Sequence, residues 1–178
     1  MTGVRESGVR ESGVRESDVW EALAGVTDPE IPVITIADLG VLRGVEVQDG
    51  RINVTITPTY SGCPAMDEIA ADVRAALAGR GWSDVTVRTV LSPAWTTDWM
   101  TEDGRRALRE YGIAPPERRP AGPVPVRLGL QRPTAPVLAC PHCGSADTEE
   151  LTRFASTSCK SLWRCRACRE PFDHFKQH

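Results

Sequence analysis

The chain has 178 residues, 40% of them hydrophobic, which allows one ordinary domain or one domain with a small appendage. A net charge of −3 and a pI of about 5.7 exclude a chain-wide electrostatic grip on nucleic acid. No apolar run approaches the roughly 18–20 residues that span a bilayer, and the N-terminus lacks a secretory h-region, so a cytoplasmic protein with reduced thiols and no membrane contact is expected.

In chain order, residues 3–17 are GVRES three times over. One valine per repeat cannot fill a core, so 1–17 is expected to be disordered. Asp18 is expected to cap a short helix with Val19, Leu23 and Val26 inward. That helix ends before Asp28-Pro29-Glu30-Ile31-Pro32, because a residue preceding proline avoids helical angles. Val41 to Val47 reads as a strand, Asp49-Gly50 as a hairpin turn, and Arg51 to Thr57 as an alternating strand with Ile52, Val54 and Ile56 on one side. A helical stripe over 64–79 joins Met66, Ile69, Ala70, Val73, Ala76 and Leu77, and Gly79 and Gly81 close it. Val85, Val87 and Leu91 supply a third strand. Thr101 to Tyr111 reads as a last helix, with Leu108 and Tyr111 inward.

The order αββαβα predicts a small α+β domain over 18–112 with a three-stranded sheet. Seven prolines fall in 113–137, which reads as an extended linker. A separate segment begins at Leu138 and holds five of the six cysteines. The domain 18–112 is expected to fold without it.

Cys140-Pro141-His142-Cys143 and Cys165-Arg166-Ala167-Cys168 are two CxxC pairs separated by 21 residues. Each pair can wrap a metal in a tight turn, and four thiolates complete a closed tetrahedral site. Gly144 suits the left-handed backbone that such a turn requires. The segment 138–178 therefore reads as a structural zinc ribbon whose metal supplies much of its folding energy; a single iron in the same cage is the alternative. His142, His174 and His178 are further donors. Cys159 is a fifth thiol, readable as a small buried hydrophobe or as an additional ligand or exchange thiol.

Cys63 stands apart from the other cysteines, in TPTYSGCP. It falls at the expected N-cap of the second helix with Pro64 at the first helical position. Free amides and the helix dipole there are expected to lower its thiol pKa. An inert buried cysteine is the plainer reading. Asp28, Glu30 and Asp38 read either as turn formers or as an acidic set near Cys63. Trp95 and Trp99, framed by hydroxyls in SPAWTTDWM, read either as a staple for the last helix or as a docking surface, where Trp is enriched.

Taken together, DPEIPVITIADLG at 28–40, TPTYSGCPAM at 57–66, SPAWTTDWM at 92–100 and the CPHCG…STSCKSLWRCRACREPFDHFK tail resemble the PaaD (PaaJ) family of phenylacetate degradation. The resemblance runs from Asp18 to His178 and leaves out the GVRES repeats. The domain 18–112 also resembles the SufT-like family of iron–sulfur assembly proteins, which implies a site at Asp28, Glu30 and Cys63. The resemblance implies an accessory subunit of the oxygenase that epoxidises phenylacetyl-CoA, aiding iron or iron–sulfur assembly in a partner. The iron–sulfur reductase is the client it points to, and Trp95 and Trp99 are candidates for docking it.

The chain has no pair of Glu-x-x-His motifs, no Rossmann glycine fingerprint and no plant-type ferredoxin array, so it is not expected to be an enzyme. A purely structural oxygenase subunit is one alternative. A nucleic-acid-binding ribbon is a weaker one, since 138–178 has six basic and five acidic residues. One cysteine cannot complete a cluster shell, so a homodimer pairing two Cys63 residues, glutathione or the client would have to supply the other ligands of a transient cluster.

Overall fold

The computed structural model describes residues 14–117 and 138–177. The first two GVRES repeats and most of the proline-rich stretch lie outside them.

Helix α1 spans Glu16–Leu23 and starts inside the third repeat, three residues earlier than the sequence suggests. Arg15, not Asp18, is the N-cap. Asp18 is one turn in and accepts from the Arg15 backbone N–H at 3.4 Å and from its guanidinium at 2.6 Å. An acidic residue in the first turn complements the helix dipole as well as a cap would. Val19 and Leu23 are fully buried.

Strands β1 (Leu42–Gln48) and β2 (Arg51–Ile56) form the expected hairpin, antiparallel with Val45 opposite Val54. Asp49 and Gly50 both take positive φ, 51° and 79°, the backbone of a turn whose twist matches the strands. Helix α2 (Met66–Ala78) buries Met66, Ile69, Val73 and Leu77. It carries the chain over to β3 (Val85–Thr89), which pairs parallel with β2, Val54 opposite Val87. A parallel neighbour needs such a helical crossover. The sheet order is β1-β2-β3. Leu91 lies beyond β3 and is exposed.

A short 3-10 turn, Thr97–Trp99, leads into α3, Glu102–Glu110. The Thr101 hydroxyl accepts from the Gly104 N–H at 3.0 Å and donates to Asp38 at 2.6 Å. Asp38 also accepts from the Thr35 hydroxyl, so it is a turn former that anchors α3. Leu108 is fully buried as expected, but Tyr111 caps the helix on the outside and is 57% exposed.

The stretch read as a linker opens with a strand, β4 (Ile113–Ala114). It pairs parallel with β7 (Pro171–Phe175), at the edge of a sheet ordered β4-β7-β6-β5, where β5 is Thr148–Thr152 and β6 is Lys160–Cys165. The ribbon therefore continues onto the first domain. Cys159 and Phe175 belong to the same buried cluster as Leu23, Ile56 and Ile69. The expectation of a self-contained core over 18–112 misses this, because two of its apolar members come from the far end of the chain. Among the described residues the ribbon's own cluster joins Ala114, Leu138, Cys140, Trp163, Cys165 and Phe172.

Candidate functional site

Two sulfur sites emerge, and the ribbon's is the simpler. In the first turn the Gly144 N–H donates to the Cys140 carbonyl at 2.8 Å, with Gly144 at φ 74°. The second turn repeats that bend with Arg169 at φ 69°, which a non-glycine residue adopts only under such constraint. The Cys168 N–H points at the Cys165 sulfur, 3.5 Å away. The four sulfurs of Cys140, Cys143, Cys165 and Cys168 lie within 4.8 Å of one another, with Cys140–Cys168 at 3.8 Å and Cys143–Cys165 at 3.5 Å. A zinc–sulfur bond of about 2.3 Å in a tetrahedron places sulfurs about 3.8 Å apart, so this donor set fits zinc. With so small a core around it, the ion would reinforce the joint between the two turns, which the Arg166 N–H also ties by donating to the Asp147 carbonyl at 2.8 Å.

Among the described residues no histidine joins the cage. The His142 ring is 3.0 Å from where a Cβ on Gly112 would stand, which places the first turn against the end of α3. His174 is buried, with Nδ1 3.3 Å from the Ser161 hydroxyl. His178 lies outside the described residues.

The second site surrounds Cys63. Ala65, not Cys63, is the N-cap of α2, and the first helical residue is Met66. Cys63 sits one turn earlier, its N–H donating to the Tyr60 carbonyl at 3.1 Å. Its half-buried sulfur accepts from the Ala65 N–H, which favours thiolate. The net effect is nevertheless opposite to the expected one. Burial pushes the Cys63 thiol up, and the nearby charges of Glu30 and Asp28 push in the same direction, outweighing the amide.

Asp28 answers both readings of the acidic turn. Its Oδ1 accepts from the Glu30 and Ile31 N–H groups, each at 2.9 Å, which is turn chemistry. Asp28 is also buried, within electrostatic reach of Cys63, and its carboxyl is pushed up chiefly by that burial. Burial, then the Asp28 charge, raises Glu30 as well.

Two neighbours escaped the sequence reading. The buried Lys160 pairs with Asp173 at 3.3 Å and opposes the charges of Asp28 and Glu30. Tyr60 shares a hydrogen bond with Ser158 of the ribbon. Neither contact follows a local period, so spacing along the chain could not have found them.

The tryptophans separate in role. Trp95 is 4% exposed, donates to the Leu39 carbonyl at 3.0 Å and tilts against Phe175 at 5.9 Å. It is a staple between domain and ribbon, and the docking role considered for it is corrected: it has no free face. Trp99 is half-buried, with the Arg43 guanidinium 3.5 Å above its ring. Its Cβ and carbonyl lie 2.7 and 2.8 Å from where a Cβ on Gly40 would stand, so the Asp38-Leu39-Gly40 turn, with Gly40 at φ 76°, leaves room for nothing larger.

Among the described residues no helix is long and apolar enough to cross a membrane.

Comparison with known proteins gives matches to each part of the chain. Residues 16–89 match the iron–sulfur cluster assembly protein family and residues 126–176 the PaaD zinc beta ribbon domain. An Escherichia coli (strain K12) protein named as a component of 1,2-phenylacetyl-CoA epoxidase is 45% identical over 158 residues, 89% of this chain and 90% of that one. An Fe-S protein maturation auxiliary factor of Porphyromonas gingivalis is 40% identical over 93 residues, 51% of this chain and 85% of that one. A crystal structure of a DUF59 domain from Bacillus anthracis superposes with a TM-score of 0.49 at 28% identity, covering 52% of this chain and 90% of that one.

Proposed function

Because this chain belongs to the PaaD family, together with that Escherichia coli epoxidase component, we propose that it is a cytoplasmic maturation subunit of a phenylacetyl-CoA epoxidase system and not itself an oxygenase. Its cargo is iron or an iron–sulfur cluster, and its client is the iron–sulfur reductase component. Cys63 receives the cargo, Asp28 and Glu30 attract it, and the zinc ribbon is a structural part. The observation that supports this reading is the buried Asp28 turn, whose carboxylate accepts from the Glu30 N–H, with the charges of Asp28 and Glu30 acting on the half-buried Cys63.

The chemistry follows from that neighbourhood. A sulfur beside two carboxylates is a poor place for a further negative charge, so the thiol keeps its proton until a cation replaces it. Soft sulfur then holds iron where a hydroxyl would not. Loading releases a proton and becomes more favourable as pH rises. The set is open and only partly buried, which suits cargo that must leave again.

The test uses a host that depends on this protein to grow on phenylacetate. The Cys63→Ser variant should accumulate normally yet not support growth, and the reductase purified from that strain should be short of iron. Normal growth with a fully loaded reductase would remove the central residue of the reading. A fully loaded reductase in a strain that still cannot grow would instead favour a purely structural subunit.

A further inference from the structure

We propose that the ribbon carries a binding cleft for a small aromatic monocarboxylate, on the face of its sheet opposite the one that Phe175 presents to Trp95. The cleft uses neither Cys63 nor the four clustered cysteines, so it stands apart from the reading just given.

Side chains alternate across a strand, so β6 and β7 put Lys160 and Phe175 on one face and Ser161, Trp163 and His174 on the other. The first face meets the assembly domain through Phe175. The second is the floor of a cleft of about 480 Å³, with Leu138 and the exposed Phe154 among its walls. That is the size and character of a pocket for a small organic ligand. Its polar groups form one chain. Trp163 Nε1–H donates to the Ser161 hydroxyl at 2.9 Å, which leaves the Ser161 proton for His174 Nδ1 at 3.3 Å. Burial holds the His174 imidazole down to about 4, so it is neutral at pH 7 and its one proton sits on Nε2. His174 is 7% exposed, yet among the described residues Nε2 has no hydrogen-bond partner and is not sealed off. A buried donor left unpaired is costly, and this one belongs to a ring that lines the cleft.

The charges are ordered along the cleft. Glu150 stands opposite Trp163, at one end. At the other, past the Ser161–His174 pair, Lys176 Nζ is held 4.4 Å over the Phe154 ring and donates to the Arg153 carbonyl at 3.2 Å. Arg153 and Glu117 share that end, where Gln177 Nε2 donates to the Glu117 carbonyl at 2.8 Å. Two cations and the His174 donor therefore face one carboxylate there. A ligand carboxylate at this end would accept from His174 Nε2–H and meet Lys176, and its ring would extend toward Trp163 between Leu138 and Phe154. A cation of the same shape would meet a donor and an ammonium instead, and is rejected. Glu117 and Glu150 repel further negative charge, which limits the ligand to one. Core packing alone explains why Trp163 is buried, but not why its hydrogen-bond chain ends on a donor open to an apolar cleft. Binding is non-covalent, and no proton or electron changes hands.

The experiment titrates phenylacetate into the full-length, zinc-loaded chain at pH 7 and follows the Trp163 and His174 side-chain N–H signals by NMR, with phenethylamine and acetate as matched probes. Saturable shifts at both residues with a Kd of about 1 mM are expected for a ligand of this size. Phenethylamine, which keeps the ring and reverses the charge, and acetate, which keeps the charge and lacks the ring, should each bind about tenfold more weakly or worse. Phe154→Ala and Lys176→Gln change side chains at the rim and should each weaken phenylacetate about fivefold, with zinc retained and the remaining signals in place. No saturable shift at Trp163 and His174 would overturn the proposal, and so would phenethylamine or acetate binding as tightly as phenylacetate. Unchanged affinity in both variants would place the ligand elsewhere and overturn it as well.

Discussion

The four ribbon cysteines converge from two tight turns of one short segment, whereas Cys63 stands apart from them in the turn before α2, its N–H on the Tyr60 carbonyl. The first set is closed: four sulfurs at tetrahedral spacing, with a backbone amide aimed at Cys165. The second is a half-buried thiol on which the charges of Glu30 and Asp28 act. A closed set of four soft donors keeps its metal, and that metal becomes part of the fold. A thiol among carboxylates attracts a cation without enclosing it. The same side chain therefore stands in two different surroundings, and on the proposed reading those surroundings decide whether a metal stays or leaves.

The strongest way to break the comparison is to remove zinc. Structural zinc contributes about 10–16 kcal/mol of apparent binding energy, so chelation or Cys165→Ser should unfold the ribbon, seen as lost zinc and lost far-UV signal. Because Phe175 packs on Trp95, the damage should reach the first domain as a red shift in tryptophan emission. An unshifted spectrum would mean that the two regions are independent.

Trp95→Ala attacks the joint directly. Truncating this buried indole should cost about 3–5 kcal/mol and divide one unfolding transition into two, while zinc stays bound. A single transition with unchanged midpoint would show that the staple carries nothing.

Acid should weaken the ribbon side selectively. Burial, then the charge of Lys176, holds the His174 imidazole down to about 4 against an ordinary 6.5. Above pH 6.5 both folded and unfolded states are neutral at this position, and stability is unaffected. As pH falls from 6.5 toward 4, the unfolded chain takes up the proton first, so stability drops by about 3 kcal/mol and then levels off. His174→Gln should flatten that part of the wild-type profile in denaturant melts; identical slopes would place the acid sensitivity elsewhere.

The smallest expected effect sharpens the contrast most. Cys63→Ser should shift stability by about 0.5 kcal/mol or less, since the side chain is half-buried and nearly the same size. A loss several times larger would mean that Cys63 holds the fold as the ribbon cysteines do.

What could be read in advance was what is local. The two CxxC turns, the alternation of Ile52, Val54 and Ile56, and the stripe of Met66, Ile69, Val73 and Leu77 each repeat over a few residues, and each appears in the structure as its period requires. The misreadings lie at ends and joints. Helix α1 begins at Glu16 because Arg15 and Asp18 satisfy each other. Tyr111 turns outward because it falls on the cap and not within the helix. The Cys63 thiol is raised because burial and two carboxylates outweigh one amide.

By itself, then, the sequence determined the α+β domain, the ribbon and its four clustered cysteines, since spacing along the chain specifies turns, periods and knuckles. Only the tertiary structure decided that Trp95 is a staple, that Ile113–Ala114 joins the ribbon sheet, and that Cys159 and Lys160 come within electrostatic reach of Asp28 and Glu30. Those placements depend on which surfaces remain apolar after each part has folded. The burial of Phe175 and Cys159 against the first domain brings the rest of the ribbon with it, and no local pattern encodes where that docking will set a neighbouring thiol.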